Sequence, residues 1–198
     1  TNEIDGFIHA LSPSGERLWS YDMDRLQPYV AVCDLDQDQI DEIAVGGPWL
    51  ALLRADGREI WRRTDIPTTG PPAMADLNAD GVPDVVAASP DATVSAVNAE
   101  GELMWRATLP MVKPAHPALG DINGDGVPDV LVGGVGSLCA LSGPTGDIVW
   151  TAHLAGQCHY GISIGDVTGD GHADVVAYHL TDTEGFVSVY EGDGSLAW

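Results

Sequence analysis

The chain has 198 residues, 30 acidic against 8 basic side chains and a formal net charge of −22 at pH 7. Its hydrophobic content of 44% is enough for a globular core and excludes a disordered chain. Lys113 is the only lysine and no basic stripe exists, which excludes nucleic acid as a partner. No apolar run is long enough to span a membrane, so membrane insertion is not expected.

The N-terminal segment predicts a β-hairpin, because residues 6–11 and 16–20 flank a turn at Ser12-Pro-Ser-Gly15. Four similar hairpins follow at residues 49–61, 93–105, 137–150 and 186–198. All five end in Gly-x-x-x-Trp, at Trp19, Trp61, Trp105, Trp150 and Trp198. We expect these tryptophans to fill the core between neighbouring repeats rather than to bind a ligand, because large aromatic side chains mainly supply buried area.

Between the hairpins, a short apolar strand is predicted to enter an aspartate-rich loop and a second strand to leave it. The entering strands are residues 29–32, 72–75, 117–120 and 161–164, and the leaving strands are residues 43–46, 85–88, 130–133 and 175–178. One repeat therefore has four strands in about 43 residues, the size of a propeller blade. The predicted fold class is all-β, a β-propeller of four-stranded antiparallel blades.

The repeats predict one propeller domain over residues 1–198 with about four and a half blades. Its predicted parts are a half blade at residues 1–25 and full blades at residues 26–67, 68–111, 112–156 and 157–198. The half blade is either a cap or a sign that the chain is a fragment of a larger ring with further blades. We favour the fragment, because propellers ordinarily close by pairing strands from both termini.

The four aspartate loops place oxygen side chains at positions 1, 3, 5 and 9, and they are Asp34–Glu42, Asp76–Asp84, Asp121–Asp129 and Asp166–Asp174. Calcium takes six to eight oxygen ligands, which alternate side chains of a tight loop can supply. Simple Asp/Gly turns are the alternative, but four copies in one frame argue against it. An EF-hand is excluded because position 12 is Val45, Ala87, Val132 or Ala177 instead of glutamate.

The Asp-x-[Asp/Asn/Thr]-x-Asp-Gly-x-x-Asp loops, followed by β-forming residues and glycine as in residues 121–133, resemble the FG-GAP and VCBS-type repeats of integrin alpha-chain propellers and secreted bacterial proteins. The Gly-x-x-x-Trp hairpins are also similar to those of quinoprotein propellers, which lack the aspartate loops. The FG-GAP resemblance implies calcium ligands at positions 1, 3, 5 and 9 and a backbone carbonyl at position 7.

Carried onto this chain, the resemblance implies up to four Ca²⁺ sites. Their ligands are Asp34, Asp36, Asp38, Glu42 and the Ile40 carbonyl; Asp76, Asn78, Asp80, Asp84 and the Val82 carbonyl; Asp121, Asn123, Asp125, Asp129 and the Val127 carbonyl; and Asp166, Thr168, Asp170, Asp174 and the His172 carbonyl. Thr168 is neutral, which predicts a weaker fourth site. Gln39 replaces the turn glycine of the first loop and is expected to adopt a costly backbone angle.

The sequence offers no catalytic constellation, so no catalytic residue is assigned. His116 and His159 precede the inner strands of two blades, close to where a central channel is expected to open, but spacing places no acid to orient them. Cys33, Cys139 and Cys158 have neither metal-type nor redox-type spacing and are predicted to be small packed residues instead of functional thiols, with their disulfide state left open.

Two function classes remain open. The first is a non-catalytic, calcium-stabilised binding, adhesion or scaffold module that recognises a protein or a glycan. The second is the propeller portion of a secreted polysaccharide lyase or other carbohydrate-active enzyme, which the scarcity of Lys and Arg disfavours. Calcium loops of this type indicate an extracellular, periplasmic or cell-surface location, where calcium is abundant.

Overall fold

The computed structural model describes residues 6–24, 28–158 and 161–198, and these residues form seventeen β-strands without a helix. No helix that could cross a membrane occurs in these residues. Every strand pair is antiparallel. The all-β fold predicted from the repeats is therefore confirmed.

Two complete four-stranded sheets follow an N-terminal pair of strands. The pair is β1 (Phe7–Leu11) and β2 (Arg17–Asp22). The first complete sheet contains β3 (Tyr29–Cys33), β4 (Glu42–Gly46), β5 (Leu50–Leu53) and β6 (Glu59–Arg63). The second contains β7 (Ala73–Ala75), β8 (Asp84–Ala88), β9 (Thr93–Val97) and β10 (Leu103–Thr108). Within both, strands pair in chain order, as the repeat predicts.

The remaining seven strands form one continuous sheet. They are β11 (Ala118–Gly120), β12 (Asp129–Gly133), β13 (Val135–Leu141), β14 (Ile148–Gln157), β15 (Ile162–Gly165), β16 (Asp174–Leu180) and β17 (Gly185–Tyr190). The strands β11 to β14 and β15 to β17 are joined where Gln157 pairs with Leu180. This approach requires Gly156, since a Cβ there would overlap the Leu180 carbonyl oxygen.

The predicted strand at residues 195–198 is not formed as a strand. Only an isolated bridge between Tyr190 and Leu196 and hydrogen bonds between Val189 and the last two residues hold this segment beside β17. Trp198 is 62% exposed. The β15 to β17 part of the seven-stranded sheet therefore has three strands. The exact domain and blade boundaries remain predictions.

The sheets stack face to face around an arc, with β3 against β7, β7 against β11 and β11 against β15 at its inner edge. Four hydrophobic clusters fill the spaces between successive groups of strands. These strands are too short to bury two apolar faces alone, so stacking of neighbours supplies the core. The arc is a partial β-propeller, in agreement with the predicted blades.

The repeated tryptophans lock each sheet to the next. The indole N–H of Trp61 donates to the Ala99 carbonyl at 2.8 Å, and Trp105 donates to Gly143 at 2.7 Å. Trp19 and Trp150 make the equivalent bonds to Ala55 and Gly192 at 2.9 Å. The ring lies against a left-handed glycine of the same turn, at Gly57, Gly101, Gly146 and Gly194. The predicted role in the core between repeats is thereby confirmed for these four tryptophans.

The three cysteines are free, which the sequence left open. Cys139 and Cys158 are buried, and Cys33 is half-buried. Burial raises the pKa of the Cys158 thiol to about 11, so this thiol stays protonated at neutral pH.

Candidate metal centre

The carboxylate at loop position 1 is held by backbone N–H groups of its own loop. In the second loop, Gly81 donates to Asp76 Oδ2 at 2.8 Å. Gly126 makes the same bond to Asp121 Oδ2, also at 2.8 Å. The equivalent bonds of the other loops join Gln39 to Asp34 at 2.9 Å and Gly171 to Asp166 at 3.0 Å. Each loop is thus wound around its first carboxylate.

The acid at position 9 closes the loop from the other end. It is the first residue of the leaving strand and is at most 2% exposed in all four repeats, at Glu42, Asp84, Asp129 and Asp174. In each repeat it accepts the N–H of position 2, with distances of 3.1, 3.1, 3.4 and 2.8 Å in chain order. The position 9 acid is therefore bound to the start of its own loop, next to the residue that carries the position 1 acid.

Position 5 carries the third carboxylate, whose Oδ1 accepts the N–H of position 7 at 2.8 Å in every loop. These acids are Asp38, Asp80, Asp125 and Asp170. The bond turns the peptide of position 7, so that its N–H is satisfied within the loop. Positions 3 and 5 are exposed in the second and third loops. Solvent can therefore complete a coordination shell there.

The backbone has positive φ at positions 4 and 6 of every loop. Glycine fills both in the third and fourth loops, and the second loop has Ala79 and Gly81. The first loop uses Gln37 (φ 61°) and Gln39 (φ 71°) instead. The strained backbone expected at Gln39 is confirmed. The equivalent strain at Gln37 was not predicted, because the family pattern specifies glycine only at position 6.

The donor set fits a hard cation, with differences between loops. Among the described residues, one group of acidic, His or Cys ligand atoms lies mutually within 4.8 Å, and it consists of Asp34, Asp36 and Glu42. In the second and third loops, burial and then neighbouring carboxylates raise the pKa of Asp84 and Asp129 to about 6. A cation beside these buried acids would offset both the cost of burying their charge and the repulsion from neighbouring carboxylates, because it favours their charged form.

The fourth loop differs at its position 9 acid. The backbone N–H of Thr168 holds the pKa of Asp174 below its usual range, with help from Val167. Asp174 Oδ2 takes both bonds, while Oδ1 is buried without a partner. Glu191 of the following hairpin turn interacts with this acid, and burial and then Asp174 raise its pKa. Glu191 was absent from the predicted ligand set.

Two other contacts near the loops were also missed. Arg54 Nη1 lies 3.6 Å from Asp36 Oδ2, so a protein cation already faces the first loop. Gln37 Nε2 donates to the Gly81 carbonyl at 2.5 Å and joins the first loop to the second. A signal existed for Arg54 and Glu191, since both directly follow the first strand of a hairpin at the same repeat position. The family pattern covers only the loop itself.

A cavity lies at the opposite edge of the inner strands, where β3, β7 and β11 begin. It has a volume of about 420 Å³, and Tyr29, Thr69, Lys113 and His116 contribute its polar atoms among several prolines. Thr69 Oγ1 donates to the Pro114 carbonyl at 2.9 Å and holds the wall in place. The placement of His116 near the inner edge agrees with the prediction, whereas His159 lies outside the described residues.

Comparison with known proteins supports the repeat type and the fold. A family model described as an FG-GAP-like repeat matches residues 76–132, which include the second and third loops. A search of curated proteins found no significant sequence match.

Among solved structures, the V. cholerae biofilm matrix protein Bap1 is similar over 100% of the chain and 33% of its own, with 23% identity and a TM-score of 0.72. The exotype rhamnogalacturonan lyase YesX is similar over 97% of the chain and 37% of its own, with 14% identity and a TM-score of 0.69.

The Pseudomonas aeruginosa PilY1 C-terminal domain is similar over 97% of the chain and 58% of its own, with 16% identity and a TM-score of 0.68. The chain thus spans between a third and about three fifths of the length of these three structures. Residues 76–132 are an FG-GAP-like repeat, and the chain that carries it folds as part of a β-propeller.

Proposed function

We propose that the chain is a calcium-stabilised propeller module that binds a protein or a glycan outside the cytosol and is itself non-catalytic. One observation supports the metal assignment: in all four loops, backbone N–H groups of the loop bind the acids of positions 1 and 9, so that both acids belong to one short hydrogen-bonded loop. Carboxylates gathered in one short loop repel each other, and a bound cation would offset this repulsion. The bound ion would neutralise these acids and stiffen the loops.

Calcium is the ion that this donor set favours. The loops offer carboxylate, amide, hydroxyl and carbonyl oxygens, and no Cys or His side chain belongs to the proposed ligand set. Thirteen of the 30 acidic residues occupy proposed ligand positions, so ion binding would also reduce the net charge substantially. Sites of this kind outside the cytosol typically bind calcium at about 10⁻⁴–10⁻³ M.

A binding role is supported by the neighbours in fold rather than by an identified ligand site. Bap1 is described as a biofilm matrix protein, and the similarity to it covers this whole chain. An extracellular or surface location follows as part of the proposal. Stacked blades with loops at both edges present a broad rigid surface, which suits recognition of a protein or a glycan.

Calcium binding is tested on the 198-residue chain by isothermal titration and by thermal melting with and without chelator. We expect saturable binding of more than one Ca²⁺. Free calcium at ten times the dissociation constant of a site stabilises the fold by about 1.4 kcal/mol per site. The melting temperature should therefore fall by several degrees when a chelator removes the calcium. Superimposable melting curves together with a flat titration contradict the proposal. Magnesium at the same concentration serves as the control ion.

A second candidate is a carbohydrate-active enzyme fragment, favoured by the cavity that holds Lys113 and His116 beside Tyr29. A lyase needs a cation to hold an acidic sugar and a base to remove a proton, and these side chains supply both classes. Unsaturated product from a pectin-type polymer, measured by ultraviolet absorbance and lost in Lys113→Ala, would replace the non-catalytic proposal. We expect no turnover.

A further inference from the structure

The strand register places one further residue opposite the position 9 acid of each loop. In the first repeat Ile43 pairs with Leu53, so the next pair outward is Glu42 and Arg54. In the fourth repeat Val175 pairs with Tyr190, which puts Glu191 opposite Asp174. The same step puts Asn98 opposite Asp84 and Ser142 opposite Asp129. Residues opposite one another in antiparallel strands project to the same face of the sheet.

This facing position changes charge along the chain, from arginine through asparagine and serine to glutamate. The first loop has four acidic ligands and the other three loops have three each. Arg54 reduces the first site from four negative charges to a net three, which equals the net charge of the second and third sites. Glu191 raises the fourth site from three to four. The facing residue therefore makes the fourth site the most negative.

The fourth site also carries an independent sign of a missing partner. Asp174 is 0% exposed, and its Oδ1 is buried without a hydrogen-bond donor. The residue facing it across the strands is an acid, and like charges placed opposite each other destabilise a sheet. Glu191 and Asp170 line one cavity together with Asn123 and His172. A bound cation would offset the cost of a buried carboxylate that has an oxygen without a donor and a second acid opposite it across the strands.

The first site shows the opposite arrangement. Arg54 Nη1 lies 3.6 Å from Asp36 Oδ2, and Asp36 belongs to the acidic group that converges within 4.8 Å. A guanidinium is always charged and satisfies carboxylates without a metal ion. It therefore competes with an incoming cation for the ligands at this site.

We propose that the residue facing position 9 sets the order of calcium affinity, with Glu191 as an additional side-chain ligand of the fourth site and Arg54 as an internal cation that weakens the first. The inference rests on the proposed calcium function. It reverses the expectation from the neutral Thr168 that the fourth site binds calcium more weakly than the others. Glu191 supplies the carboxylate that position 3 of the fourth loop lacks. Ligand charge is one of the factors that tune calcium affinity in oxygen-lined loops.

The test is a titration of the 198-residue chain with Ca²⁺ and, separately, with Tb³⁺. Nearby tryptophans sensitise the luminescence of bound Tb³⁺. The luminescence lifetimes in light and heavy water then give the number of water molecules bound to the ion. Glu191→Gln should weaken one site on the order of tenfold and add a bound water at that site. Arg54→Gln should strengthen a different site on the order of tenfold. Asp193→Asn is the matched control for Glu191, since it removes one charge from the same turn and cavity.

The outcomes separate the inference from the function on which it rests. A wild-type chain that binds neither ion contradicts the calcium proposal itself. Wild-type binding that is unchanged in both Glu191→Gln and Arg54→Gln overturns the inference alone. Asp193→Asn that weakens binding as much as Glu191→Gln, with no change in bound water in either, also overturns it, because the effect would then be general charge. Circular dichroism of every variant checks that the fold is retained.

Discussion

The first and fourth loops share one frame and one hydrogen-bond pattern, yet they balance their acids differently. The first has Gln37 and Gln39 at strained backbone positions, four acidic ligand positions and Arg54 beside them. The fourth has two glycines at the strained positions, three acids, an Asp174 oxygen without a hydrogen-bond partner, and a further acid opposite Asp174 across the strands. The first loop therefore has a protein cation beside it, whereas on our proposal the fourth would take a bound one.

Loop sequence alone does not rank these two sites, because the acidic residues of the first loop favour cation binding there, whereas the glycines of the fourth loop favour an unstrained backbone. The residue that we propose sets the order lies outside both loops, on the hairpin turn to which the tryptophan of the previous hairpin is hydrogen-bonded. Trp19 holds the turn beside the first loop, and Trp150 holds the turn beside the fourth.

The largest effect is expected from a substitution that places a side chain against the Trp150 ring, at the turn beside the fourth loop. Gly194→Val places a Cβ at a φ of +86° and 2.7 Å from the Trp150 ring, so we expect a loss of about 3 kcal/mol in the free energy of unfolding, measured by urea denaturation. Gly15→Val is the control, because its turn has a similar φ of +84° but nothing within 4 Å. Gly15→Val should lower the free energy of unfolding by only about 1 kcal/mol. Equal losses would show that the tryptophan contact contributes nothing.

The second effect is the dependence of stability on pH, which should have opposite signs for the position 9 acids of the third and fourth loops. Without calcium, burial raises the pKa of Asp129 to about 6, so the folded state holds a proton more tightly than the unfolded state. Stability should therefore fall as pH rises from about 4 to about 6. Asp129→Asn removes this loss of stability. In chelator at pH 7 its free energy of unfolding should therefore exceed that of wild type by about 1–2 kcal/mol, and its melting temperature should be higher.

The fourth loop has the opposite sign, because backbone N–H groups lower the pKa of Asp174. Its contribution is present above the unfolded pKa and is lost as pH falls through the lower folded value. Asp174→Asn should therefore lower the melting temperature in chelator at pH 7 and approach wild type in strong acid. Both variants are measured by thermal melting across pH. Shifts of the same sign at pH 7 would contradict the contrast.

The third effect tests backbone strain. Gln39→Gly should stabilise the first loop by about 0.5–1 kcal/mol, because glycine accepts the φ of 71° without a steric cost. Gly171→Ala should destabilise the fourth loop by about 1–2 kcal/mol at a φ of 90°. Chemical denaturation in calcium-free buffer measures both. A gain from Gly171→Ala would mean that the fourth loop does not hold this conformation in solution.

The smallest effect is expected from Arg54→Gln in chelator. The Arg54 and Asp36 side chains are 51% and 46% exposed, so solvent screens their ion pair. We expect a change below about 0.5 kcal/mol in the free energy of unfolding. A large loss would assign Arg54 a structural role and would remove the basis for reading its effect on calcium affinity as local charge.

Much of the fold was predictable because it repeats. Five Gly-x-x-x-Trp hairpins and four loops in one frame indicate blades, since each copy independently specifies the same strands and turns. The strand pattern differs from the prediction at two places that depend on long-range contacts. Gly156 lets β14 pair with β16 at Gln157 and Leu180, and residues 195–198 are held by an isolated bridge and a few hydrogen bonds instead of forming a strand. Neither follows from a repeat pattern, because each depends on a neighbour brought close by folding.

The repeat, the strand order and the positions of the carboxylates within each loop can be predicted from the sequence. Those features depend on local spacing, which is the same in the unfolded chain. Which residue lies opposite each loop, in contrast, follows from the folded structure. Strand register brings Arg54 to Glu42 and Glu191 to Asp174 across 12 and 17 residues, and burial leaves one Asp174 oxygen without a partner. Charge and desolvation act through space, so their balance at a site is settled only once the strands have paired.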